Sequence, residues 1–169
     1  MSAADVQLAS LWLAAVARPE VSGAIEDVYA QAAAAIANRG PACWASGRCC
    51  NFRAAGHRLY VTGLEAAYTI ARLPDVAGVR NENYPHARLD RAALQRAVSG
   101  GGCVFQVMNL CGVHGIKPLG CRVYFCDRSA QAWQEELSER LLGEIRGIHD
   151  RFGVDYRYGE WGEMLGRFV

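Results

Sequence analysis

CVFQVMNLCGVHGIKPLGCRVYFC, residues 103–126, holds four of the chain's seven cysteines and shows no helical period. Its short apolar runs, Val104 to Met108 and Val123 to Phe125, read as small strands. On both sides the pattern changes. Downstream, Trp133, Leu137, Leu141, Ile145, Ile148 and Phe152 form the stripe of one long amphipathic helix, starting near Ser129 and ended by Gly153. Upstream, a helix is expected from about Arg88 to Val98, stopped at Ser99-Gly100-Gly101-Gly102, a plain turn rather than a phosphate loop. The fold expectation is mainly α: one helical domain with an irregular cysteine-rich layer and a few short strands.

The rest of the chain extends that pattern. Two helices are expected in residues 1–40. The first has Leu8, Leu11, Trp12, Ala15 and Val16 on one face. The second, opened by Pro19, has Ile25, Val28, Tyr29, Ala32 and Ile36. Asn38-Arg39-Gly40-Pro41 stops it. Residues 8–17 resemble a signal-peptide core, but no Lys or Arg precedes them and Asp5 does, so the amphipathic-helix reading is preferred. His57 to Val61 reads as a short strand. Thr62-Gly63-Leu64-Glu65 is a capping box opening a helix that ends before Pro74, and residues 75–87 read as loop. Tyr156, Tyr158, Trp161 and Phe168 mark a tail that docks.

Length and composition bound the function. The chain has 169 residues, 51% hydrophobic and 21% charged, which fits one domain and excludes disorder. No apolar run approaches the ~18 residues of a membrane-spanning helix, so no membrane partner is expected. Residues 1–40 and 128–169 each carry a formal charge of −2, and 41–127 carry +5. That excess is too small to argue for nucleic acid, a partner the reading disfavours. It suits thiolates instead, because nearby Arg and Lys favour the deprotonated thiol.

All seven cysteines, Cys43, Cys49, Cys50, Cys103, Cys111, Cys121 and Cys126, lie in that positive segment. An odd number cannot pair fully within one chain. Seven thiols confined to half the chain is poor behaviour for core filling, although free Cys is often buried for packing alone. A structural zinc contributes about 10–16 kcal/mol of apparent binding free energy, against about 2–5 for a disulfide. Metal binding is therefore the preferred reading, with zinc or iron, including an iron–sulfur cluster, held by thiolates. Cys43, Cys50, Cys111 and Cys121 are the leading ligands because they span both clusters. Cys49, Cys103 and Cys126 complete a larger site. Adjacent Cys49 and Cys50 need a tight turn to serve one ion, which Gly47-Arg48 can supply.

Cys111 and His114 form a conceivable nucleophile pair, but a clustered thiol is more often a ligand. His57 reads as a strand-edge residue, and His86 and His149 as surface residues. Arg122 is a candidate donor to a thiolate or a carboxylate. Trp44, Tyr60, Tyr124 and Phe125 are expected to pack around the cysteine layer and exclude water from it.

Residues 43–126 resemble the YkgJ-type cysteine-cluster family, described as a zinc- or iron-chelating domain. The matching elements, in order, are Cys49-Cys50, Thr62-x-x-Glu65, Cys103-Val-Phe105, Cys111-Gly-Val113-His114, Lys117-Pro118-Leu-Gly-Cys121-Arg122 and Tyr124-Phe-Cys126. The early cluster has one cysteine fewer than many members, Lys117 replaces Arg, and His114 replaces Tyr. His114 can compensate as a ligand, since imidazole binds both metals. The resemblance implies metal chelation. Flagellin lysine methylases carry a similar cluster, so enzyme activity, redox or transferase, stays open. The C-x3-C-x2-C spacing of radical enzymes is absent. A zinc-dependent protein- or nucleic-acid-interaction module is the weakest alternative. A protein partner or homodimer is compatible with the outer helices, and a reducing compartment, the cytoplasm, would keep the thiols free.

Overall fold

The computed structural model describes residues 2–73 and 89–169. The expected loop over 75–87, with His86, lies outside the described residues. Among them, helices dominate: α1 (Ala3–Val16), α2 (Pro19–Arg39), α3 (Phe52–Ala55), α4 (Gly63–Ala71), α5 (Arg91–Gly100), α6 (Leu119–Val123), α7 (Gln131–Phe152) and α8 (Trp161–Leu165). Four strands of two or three residues form two antiparallel pairs. In one, β1 (Tyr60–Thr62) pairs with β4 (Tyr158–Glu160); in the other, β2 (Gln106–Val107) pairs with β3 (Leu110–Cys111). The domain is mainly α, as its helical stripes require.

Pro19, Gly40 and Gly153 bound α2 and α7 as expected, and caps not read from the sequence start α1 and α5. Ser2 and Asp5 cap α1 reciprocally, Pro19 opens α2, and Gly40 and Gly153 end α2 and α7 in the left-handed conformation. Asp90 caps α5, accepting from the Ala93 N–H at 2.7 Å, so that helix starts at Arg91 rather than Arg88.

The core runs from Trp12 and Ile25 through Leu64, Leu141 and Ile145 to Trp161, Met164 and Leu165, all essentially without solvent contact. Helix α1 packs on α4, and α2 on α7 and α6. The α1–α4 contact depends on Gly63, since a Cβ there would lie 2.1 Å from the Trp12 indole. Trp12 also donates its indole N–H to the Asp155 carbonyl at 2.9 Å, and Arg167 pairs with Asp5, which fixes the tail against α1.

Several expectations are corrected. Leu11 is 53% exposed, and the buried face of α1 is Ala9, Trp12, Ala15 and Val16. The strand expected from His57 begins only at Tyr60. Val104–Met108 shrinks to Gln106–Val107, because Met108 and Asn109 form the two-residue turn of a hairpin. Val123–Phe125 is no strand: Pro118 opens a helical turn that runs through Val123. His149 is fully buried, its ring edge-on to Tyr156 at 5.1 Å. Trp44 is 64% exposed and Tyr60 42%, so neither shields the cysteine layer.

Candidate metal centre

Cys50 stands at the middle of the thiols. It ends a 3-10 turn, Arg48–Cys50, entered through Gly47 at φ +71°. Glycine is required there by conformation and by space. A Cβ would lie 2.7 Å from the Gln106 side chain and 2.8 Å from Asn109. The turn brings the Cys49 and Cys50 sulfurs to 4.0 Å, so two adjacent cysteines do face one site.

Main-chain bonds carry the second cysteine segment to the first. The Cys103 N–H donates to the Cys50 carbonyl at 2.8 Å. The Gln106 side chain donates to the Gly47 carbonyl at 3.0 Å. The β2–β3 pair then sets Cys111 opposite Gln106. The neighbouring Cys103, Cys111 and Cys49 thiols, and then burial, push the Cys50 thiol far up, so it holds its proton. Its neighbours respond in the opposite sense. Hydrogen bonding from Cys50 brings Cys49 down to about 6 and Cys111 to about 7, against desolvation, and holds Cys103 below the ordinary thiol range. Lys117 pulls Cys49 and Cys111 further the same way.

Trp161 is 2% exposed, and its indole N–H has no hydrogen-bond partner among the described residues. It lines one cavity wall with Cys103, close enough to help lower that thiol's pKa. The Trp161 backbone N–H is fixed on the Leu59 carbonyl at 2.8 Å, and its ring lies 6.1 Å from Phe105.

Cys121 lies behind this group on α6, within the field of Cys103, Cys111 and Cys49, and burial pushes its thiol well up. The helix that carries it is anchored by Glu65. That carboxylate is 1% exposed. One oxygen accepts from the Thr62 N–H at 2.9 Å and hydroxyl at 3.0 Å, and the other from the Leu119 N–H at 2.8 Å. The capping box of α4 thus also caps α6, joining two of the spaced motifs read from the sequence. Burial raises Glu65, opposed by those donors and by Arg122.

Cys43 and Cys126 lie apart from the four-thiol group. Cys43 is exposed on a loop tied by the Ala42 N–H to Asp127 at 3.3 Å. Cys126 approaches the Ser46 hydroxyl at 3.8 Å, in the wall of a groove of about 1000 Å³ that Trp44 and Phe125 also line. His114 meets the Lys117 ammonium at 3.1 Å, and that charge, then burial, lowers its pKa. His57 stacks on Tyr124 at 4.6 Å and crosses Phe52 edge-on at 5.4 Å. Arg122 reaches no sulfur: it donates to the Lys117 and Gly115 carbonyls, each at 2.8 Å, and lies 3.9 Å over the Tyr29 ring.

Among the described residues, no three His, Cys, Asp or Glu side chains stand in an arrangement ready to hold a metal ion. Thiolates are donors that zinc and iron take, and here Cys49 and Cys50 are joined to the Cys103–Cys111 segment by the Cys103–Cys50 main-chain bond. Sequence reasoning missed Trp161 as part of this site. It had marked the residue only as an apolar anchor, and nothing local to the tail says which polar atom its indole meets. No protein-family model, curated protein or solved structure matches the chain. Also among the described residues, no helix is long and apolar enough to cross a membrane.

Proposed function

We propose that the chain is a metal-binding protein of the YkgJ-type cysteine-cluster kind, holding zinc or iron chiefly on Cys49, Cys50, Cys103 and Cys111. The observation that carries this reading is the Cys103 N–H bond to the Cys50 carbonyl, which with the β2–β3 hairpin ties the Cys103–Cys111 segment to the Cys49–Cys50 turn across 52 intervening residues. A cysteine used only as a small apolar residue has no reason to collect others. Cys121 is the reserve ligand, behind the group on a helix held by Glu65. Relative to the four leading sequence candidates, Cys49 and Cys103 replace Cys43 and Cys121. Rotation about single Cα–Cβ bonds would turn neighbouring thiols toward one ion, their protons passing to solvent as it binds. All seven cysteines are free, which supports a reducing location such as the cytoplasm.

Titration of the reduced protein with cobalt(II) tests the reading. Thiolate-to-cobalt absorption should rise to a sharp break at one equivalent. Cys50→Ser should abolish it, and Cys43→Ser should leave it intact. Full binding by Cys50→Ser would remove the proposed centre.

A further inference from the structure

Cys103 also lines a cavity of about 350 Å³, at the lower end of the range for small-molecule sites. Its floor is apolar: Phe52, Leu94, Val98 and Leu165, with the Trp161 ring beside Cys103. Two cations, Arg53 and Arg58, border it. Arg53 donates one Nη2 bond to the Ser99 carbonyl at 2.8 Å, and its remaining donors have no partner among the described residues. Arg58 has neither an ion pair nor a side-chain hydrogen bond among the described residues. One carboxylate, Glu160, also borders the cavity, but it caps α8 by accepting from the Gly162 N–H.

We propose that this cavity is a binding site for a small carboxylate with a short apolar body. The guanidinium groups would take the carboxylate, and the chain would lie on the Leu94, Val98 and Leu165 floor. Guanidinium donors match a carboxylate in charge and planar geometry, and removing the apolar body from water supplies the rest. The single acid, Glu160, repels an anion, but it is already used as a cap and is outnumbered by the two arginines, so the cavity favours a negative ligand over a neutral or positive one. The inference is independent of the metal reading, although a bound ligand would sit against Cys103.

Calorimetric titration of the reduced, full-length chain with octanoate, 1-octanol and octylamine tests it. Octanoate should bind at one per chain, at least tenfold more tightly than either of the others. Arg58→Gln should weaken octanoate tenfold or more without changing the circular dichroism spectrum. Val98→Phe, at the half-exposed edge of the floor, should block binding. Absence of octanoate binding overturns the proposal. So does 1-octanol or octylamine binding as well as octanoate, or an Arg58→Gln protein that binds unchanged. Cobalt titration of the same sample leaves the metal reading to be judged separately.

Discussion

Trp161 illustrates how one buried polar atom gives a packing residue a chemical role. An unpaired indole N–H in the core costs on the order of 1–3 kcal/mol; the Trp161 N–H has no partner among the described residues and lies beside Cys103, whose thiolate would accept from it in the metal-loaded protein. Trp161→Phe keeps most of the ring and removes only the donor. In the cobalt-loaded protein it should move the sulfur-to-cobalt band to longer wavelength while one metal remains bound, because the thiolate loses a stabilising hydrogen bond. An unmoved band would reduce Trp161 to packing. His149 makes the complementary case. Its ring is buried, Nδ1 meets the Val154 carbonyl at 3.2 Å, and Nε2 has no partner among the described residues. Burial lowers its pKa, so below the unfolded value of about 6.5 the unfolded chain binds a proton that the folded chain refuses. Stability from this residue is complete above that pH and declines as pH falls through it. His149→Asn should flatten urea-unfolding stability between pH 7 and pH 5; an unchanged slope would assign the loss to other groups. Sequence reading placed His149 on the surface. The folding of Val154 to Tyr156 back over the last turn of α7 is not a local signal.

Two short elements hold the centre in place. The Glu65 carboxylate caps α4 and α6 together, and the neutral amide of Glu65→Gln turns one acceptor into a donor facing donors. That variant should lose about 2–3 kcal/mol of unfolding free energy in urea, given charge-assisted bonds of about 1.5–3 kcal/mol each. A loss below about 0.5 kcal/mol would mean that α6 is held by other contacts. The β2–β3 hairpin turns through Met108 at φ +48° and Asn109 at φ +65°. A left-handed Met costs roughly 1 kcal/mol, and Met108 is 88% exposed, so its side chain contributes no burial in return. Met108→Asn should therefore stabilise the protein by about 0.5–1 kcal/mol, raising the melting temperature; a lower one would show that the methionine is needed. The long helices, the ends of α2 and α7 and the Thr62–Glu65 box were legible because periodicity and capping are local. The hairpin was not, since Met-Asn lacks the usual turn sequence. Nor was the β1–β4 pair, whose three-residue strands lie about a hundred residues apart.

At the scale of the molecule, helices α1, α2, α4 and α7 provide one core. The cysteine layer is fastened to it by Phe105, Val113, Ile116 and Leu119, all buried. The cysteine spacing pointed to a shared site. It did not say which thiols meet, because that depends on the Gly47 turn, the Cys103–Cys50 bond and the hairpin register. Cys43 and Cys50 looked equivalent in sequence; one is exposed and the other is the hub. The most direct measurement is the metal content of protein purified without oxygen or chelator, alongside Cys50→Ser. The account predicts about one zinc, or one or more irons, per chain, falling below a tenth of that in the variant. A metal-free native protein, or equal metal in both, would contradict it.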